Sequence, residues 1–251
     1  MKRKIIIIFF LLVIADAVIA QQQNQTIPFP KIGIDVGTSD SPQDVSVTLQ
    51  ILLLMTILSL APSLLIMTTS YLRLIIAFHF LKSALGTQQM PPGQLLAGIA
   101  LFITFFIMAP TWNKVNDEAL KPMMDGKITL EEAYNRGVEP IREFMFRNVR
   151  DEDLALFIGL SNLERPENRE DLPTYVLVPA FALSELRAGF IIGFFLFIPF
   201  VMVDMIIASI LMSMGMMMLP PMLISLPFKI LLFVLVDGWN LIVGSLVRSF
   251  S

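Results

Sequence analysis

Between residues 45 and 72 the chain carries no charged side chain. That run exceeds the ~20 apolar residues a helix needs to cross a bilayer. A second uncharged run follows at 83–113, and residues 175–251 are apolar apart from six isolated charges. With 55% hydrophobic residues and a mean hydropathy of +0.74 over 251 residues, the chain is too apolar for an ordinary soluble domain. Its charges are also concentrated: residues 114–171 hold 14 acidic and 9 basic side chains, 23 of the 39 in the chain. This is the pattern of a membrane protein with one water-facing region, which the formal net charge of -3 conceals.

The opening "MKRKIIIIFFLLVIADAVIAQQQ" has Lys2, Arg3 and Lys4, then an apolar run, then Val18 and Ala20 in the small-residue layout of a cleavage site. We expect a cleaved signal peptide at 1–20; an uncleaved anchor helix is the alternative, against which stand Asp16 and the switch to "QQQNQT". Residues 21–44, rich in Gln, Pro, Gly and Ser, read as a flexible extracytoplasmic lead-in. Residues 45–110 then read as a first apolar helical hairpin, interrupted at Pro62, with a helix over 94–108 that ends near Pro110. Its turn, "ALGTQQMPPG", follows Arg73 and Lys82 with no acidic residue between the two apolar runs, whereas 114–171 is net acidic. The positive-inside rule places that turn in the cytoplasm and residues 111–174 outside it.

The polar region is helical in character. Thr129 and Glu132 have capping-box spacing, and Pro140 suits the first turn of a second helix. There Ile141, Phe144, Met145 and Asn148 form a stripe, with Arg142, Glu143, Arg147 and Arg150 facing elsewhere. Leu154, Phe157, Ile158 and Leu160 suggest another apolar face. Self-packing and subunit contact both explain these faces, with Phe144 and Phe157 the subunit-contact candidates.

Residues 175–251 read as a second apolar hairpin, with breaks expected at Pro199, Pro220, Pro221 and Pro227. Glu185, Arg187, Asp204, Lys229 and Asp237 stand alone in apolar surroundings, where a charge needs a partner or water. Asp204 and Lys229 are expected to be partnered, with Glu185 the next candidate. Cysteine is absent, and His79, the one histidine, reads as a packed or hydrogen-bonded structural residue. No thiol nucleophile or multi-histidine metal site is available, and an intramembrane enzyme built on Asp204 and Asp237 lacks a nucleophile, a metal cluster and a phosphate loop.

The segment "GMMMLPP" runs from Gly215 to Pro221. Three adjacent methionines would spread over half a helix, since neighbours lie about 100° apart. Gly215 and the pair Pro220 and Pro221 instead shape a loop that carries Met216, Met217 and Met218. Non-helical backbone at membrane depth is tolerated where protein buries it or water reaches it. In a closed ring of copies such loops would form a soft apolar collar. For Met202, Met205, Met212 and Met214 adaptable packing is the simpler reading.

The blocks "SYLRLIIAFHFLKSALGTQQMPPGQLLAGIALFITFFIMAP" and "MGMMMLPPMLISLPFKILLFVLVDGWNLIVGSLVRSF" closely resemble the signature blocks of the FliP family, core subunits of the flagellar type III protein export gate. The resemblance covers nearly all of the mature chain; Gly93 departs from the asparagine usual at its position. It implies an all-α membrane protein with two apolar hairpins flanking the extracytoplasmic region, about five copies of which close a ring-like pore. It further implies FliQ and FliR subunits and other flagellar export apparatus components as partners, unfolded flagellar proteins as cargo, and membrane lipid around the complex. The implied location is the bacterial inner membrane at the flagellar basal body, much of the chain lying on the periplasmic side. It makes Met216, Met217 and Met218 the pore gasket, and implies neither enzymatic activity, cofactor, metal nor nucleic acid. Related injectisome gates share the blocks but typically lack the cleaved signal peptide. A membrane-embedded assembly factor and a small-solute transporter using Glu185, Asp204 and Lys229 are further alternatives, the transporter disfavoured by the lack of a clear internal repeat.

Overall fold

The computed structural model describes residues 42–87, 90–161, 168, 171–216 and 218–250. The signal peptide expected at 1–20, the lead-in as far as residue 41, and Met217 lie outside the described residues. The chain divides into two units, Met1–Leu54 and Met55–Ser251. The described part of the first is the start of helix α1 (Pro42–Thr68); the other helices belong to the second. Every regular element among the described residues is helical.

Helix α1 follows from the uncharged run, and its segment Leu49–Thr68 is long and apolar enough to span a bilayer. Pro62 sits inside it. After Ser70 the chain starts α2 (Tyr71–Leu85), whose buried residues Arg73, Leu74, Ala77, Phe78, Leu81, Ala84 and Leu85 recur at helical spacing as one stripe. Three helices therefore occupy the region where a two-helix hairpin was expected. The reason is that α2 carries Arg73 into the interior, where a cation needs protein partners rather than lipid. His79 falls outside the buried stripe and is exposed, so it is not the packed residue expected.

Helix α3 (Gly93–Val115) passes through Pro110, where an end was expected. Met108 and Thr111 are buried on either side of that proline, so packing holds the chain helical despite one lost hydrogen bond. A π-helical turn, Asn116–Leu120, and a last turn, α4 (Lys121–Met124), complete a continuous helical stretch of 32 residues that is charged from Lys114 onward. Helix α5 (Leu130–Asn148) begins as expected, Glu132 N–H donating to Thr129 Oγ1 at 3.2 Å. It is one helix rather than two, with Pro140 buried inside it. One turn earlier Gly137 faces the π turn, where a Cβ would sit in van der Waals contact 3.4 Å from Ala119. Helix α6 (Asp151–Leu160) follows.

The longest element is α7 (Thr174–Ser213), 40 residues and thus ~60 Å of helix, unbroken at Pro179 and Pro199. Its principal partner is α2. Gly189 and Gly193, one turn apart, make that approach possible: a Cβ at Gly193 would stand 2.4 Å from the Phe80 ring, and one at Gly189 3.0 Å from Ile76. Around this pair, α2 contributes Leu74, Phe78 and Leu81, α3 contributes Leu96 and Ala100, and Phe200 of α7 completes this side of one core. A second core joins Met108 to Phe144 and Met145 of α5 and to Leu177 and Phe181 of α7.

Helices α8 (Pro221–Leu235) and α9 (Gly238–Arg248) meet at a 63° bend. The bend falls at Asp237, φ 50°, rather than at Pro227, which sits inside α8. Gly238 is obligatory there, because a Cβ would lie 2.3 Å from the Phe233 ring. Three described helices are long and apolar enough to cross a membrane, or four spans if the bent pair counts as one.

Candidate functional site

The methionine loop begins with a helix stop. Gly215 adopts φ 75°, its N–H donates to Met212 O at 3.0 Å, and Met216 N–H reaches back to Leu211 O at 2.9 Å. These two bonds constitute a Schellman motif, in which a left-handed residue just past the helix satisfies carbonyls the ladder leaves open. The restart is equally local: Pro220 caps α8 and Pro221 occupies its first turn, where a missing N–H costs nothing. Between stop and start, Met216 is 44% exposed and Met218 98% exposed. The loop thus carries flexible thioethers into open space at the junction of two apolar helices.

Beneath it lies a buried polar cluster. Lys229 Nζ is 2.6 Å from Asp204 Oδ2 and donates to Ala84 O, in the last turn of α2, at 3.1 Å. Ser225 Oγ donates to the other oxygen of the same carboxylate at 2.5 Å. A cation against the last turn of a helix is favoured by the helix dipole as well as by the exposed carbonyls. Asp204 and Lys229 therefore meet within one chain, joining α7 to α8 and α2.

Glu185 sits in a different cluster. It is fully buried and ion-paired with the Arg73 fork, which also donates from Nη1 to Ser249 O at 2.8 Å and to Ser249 Oγ at 2.9 Å. The Arg73 guanidinium carbon lies 3.7 Å from the centre of the Phe250 ring. That ring stacks on Phe144 at 6.1 Å, and Phe144 meets Phe181 edge-on at 5.9 Å. Phe144, 3% exposed, is thus covered within its own chain, and Phe157 is half-buried against the same core.

Several residues that organise these clusters escape a sequence reading. Arg73 was one cation in an apolar segment, and nothing local names Glu185, 112 positions later, as its partner. Arg142 was placed on the polar side of α5, yet it is buried and donates to Thr174 Oγ1 at 2.6 Å and to Leu172 O at 2.8 Å. Of the remaining isolated charges, Arg187 reaches Asp153 at 3.8 Å and Asp237 accepts from Asn240 at 3.2 Å. An apolar cavity of about 440 Å³ between α1 and α3, lined by Pro62, Leu65, Leu101, Phe105 and Trp112 among others, contains none of the ion-paired residues. Among the described residues no group of three or more His, Cys, Asp or Glu could hold a metal.

A family model for FliP matches residues 54–246, from α1 through the methionine loop into α9. The chain belongs to the FliP family. Both hydrophobic cores, the Asp204–Lys229 pair and the Arg73–Glu185 pair fall inside the FliP match. Flagellar biosynthetic protein FliP of Bacillus subtilis (strain 168) is 56% identical over 217 residues, covering 86% of this chain and 98% of that protein. The Treponema pallidum (strain Nichols) protein of the same name is 47% identical over 233 residues, 92% of this chain and 85% of the relative. That of Caulobacter vibrioides is 48% identical over 220 residues, 88% and 82% of the two chains.

Proposed function

We propose that this chain is a pore-forming subunit of the flagellar type III export gate, passing unfolded flagellar proteins across the bacterial inner membrane, with the methionine loops of about five copies as its collar. The observation that carries this reading is the loop itself. A Schellman stop and a double-proline start hold Met216 and Met218 out of both helices, where their side chains are free to meet copies across an axis. The family relatives, all named for flagellar biosynthesis, support the setting. FliQ and FliR are the proposed partner subunits. The transporter reading is weakened because Glu185, Asp204 and Lys229 are engaged in ion pairs rather than lining the apolar cavity.

Substitution of Met216, Met217 and Met218 together by alanine tests the collar. The expected result is near-normal recovery of complex with a raised ion leak, because alanine lacks the reach to close an axis. Lost recovery without leak assigns these side chains to ordinary packing, where truncation costs about 2–5 kcal/mol each.

A further inference from the structure

Helix α8 is held along one narrow stripe. Its buried side chains are Ser225, Lys229 and Phe233, each four residues from the next. The first two end on the same carboxylate, Asp204, so a single acidic group supplies both polar attachments of α8 to α7. Lys229 also touches the end of α2 through Ala84 O, where the Cβ position of Gly86 lies 3.5 Å from Nζ and 3.9 Å from Met222 Cε. Phe233 rests against Phe200 and Trp239. Pro221, Leu226 and Leu232 are half-buried, and most of the rest of the helix, including Leu223, Phe228 and Leu231, is exposed. At either end of the loop-plus-α8 segment stands a residue with positive φ: Gly215 at 75°, with open space around its Cβ position, and Asp237 at 50°.

We propose that α8 is a latched lever. Asp204 is the catch, Ser225 and Lys229 are the two hooks, and Gly215 and Asp237 are the joints. Because both hooks share one acceptor on α7, losing the Asp204 charge weakens both of these bonds together and leaves Lys229 only its bond to Ala84 O, while the α7 and α2 surfaces stay folded around their own core. A 15-residue helix is ~22 Å long, so a tilt of about 10° about the Asp237 joint moves the loop end by ~4 Å. What that displacement does to a pore rests on the collar reading above; the motion itself does not.

The chain contains no cysteine, so spin labels can be placed on Thr87→Cys and Met222→Cys, beside the end of α2 and at the start of α8. Pulsed electron paramagnetic resonance on the assembled complex in lipid vesicles, with labelled chain diluted among unlabelled copies, reads the separation of the two. The parent should give one narrow distance. Asp204→Asn should shift or broaden it by ~4 Å, and Ser225→Ala, which keeps the ion pair, should do so to a smaller extent. A parent-like distribution in both variants, or in Ser225→Ala alone if Asp204→Asn is not recovered, overturns the lever. Ion flux on the same vesicles separates the two ideas: altered distances without leak leave the lever standing and sink the collar.

Discussion

Lys229 of α8 stands 2.6 Å from the Asp204 carboxylate of α7, and its ammonium is almost completely buried. Removing one member of such a pair strands the other charge, a loss of ~3–5 kcal/mol for fully buried pairs. Asp204 is 27% exposed, which places this pair toward the lower end. Lys229→Ala should therefore impair recovery of the assembled complex, and adding Asp204→Asn should restore part of it. Strictly additive losses in the purified yield would show that the two charges do not depend on each other.

The Arg73 fork ties α2 to Glu185 and to Ser249 beyond α9. Glu185→Gln should destabilise strongly, because the guanidinium remains buried without a counter-charge, while Arg73→Met with Glu185→Leu should recover much of the loss. Thermal unfolding in detergent compares them. Limited proteolysis should cut near Ser249 sooner in Arg73→Met; unchanged cutting there would refute the anchoring role.

Gly193→Ala should destabilise by about 1–3 kcal/mol, the usual range for overpacking a filled site. The added carbon has the Phe80 ring 2.4 Å away. Gly98→Ala, inside α3 with no atom within 4 Å, is the control and should be neutral to slightly stabilising, since alanine favours helix over glycine. Equal melting temperatures for the two variants would mean that α2 and α7 are not so closely packed.

Glu143 accepts a hydrogen bond from Lys114 Nζ at 2.6 Å, and that bond holds its carboxyl below the usual value, opposed by desolvation and aided by the charges of Lys114 and Arg147. A lowered folded-state value means stability that is present above the unfolded carboxyl's range and lost as pH falls through the folded one. Both side chains are about half exposed, so the contribution is ~0.2–1 kcal/mol. Glu143→Gln should lower the melting temperature slightly at neutral pH, with the gap closing in acid. A gap that widens in acid contradicts the assignment.

Single cysteines at Asn135 or Asn168, both exposed, should react with an impermeant reagent in intact spheroplasts if residues 111–174 are extracytoplasmic. Purified protein should begin at or near Gln21. Labelling only after lysis reverses the orientation, and an intact mass that retains residues 1–20 removes the signal peptide.

What could be read in advance follows from how local each cause is. The Thr129 cap, the Gly215 stop and the Pro220 start depend on a few neighbouring residues, and each lies where the sequence places it. The Asp204–Lys229 pairing was legible because two charges in apolar surroundings restrict each other's options. Proline misled at Pro110, Pro140 and Pro199, since the cost of one missing hydrogen bond is smaller than the packing gained by continuing a helix inside a protein. Helix α2 was hidden inside an apparent hairpin because hydropathy measures distance from water and does not distinguish lipid from protein. The glycines of "GFIIG" did carry a signal, a four-residue repeat of missing side chains that marks close helix approach.

Helix α7 is ~60 Å long, about twice the ~30 Å hydrocarbon thickness. Phe190, Phe194 and Phe195 along it are exposed in the single chain, as are Met205, Met212 and Met214 toward its end. At about twice the hydrocarbon thickness such a helix cannot keep all of this apolar surface in lipid, and the neighbouring subunits proposed above would cover the remainder. Under the proposed assembly, survival of a newly made copy in the cell becomes a race between assembly and proteolysis. Abundance should follow the supply of those neighbours more closely than the rate at which the chain itself is synthesised.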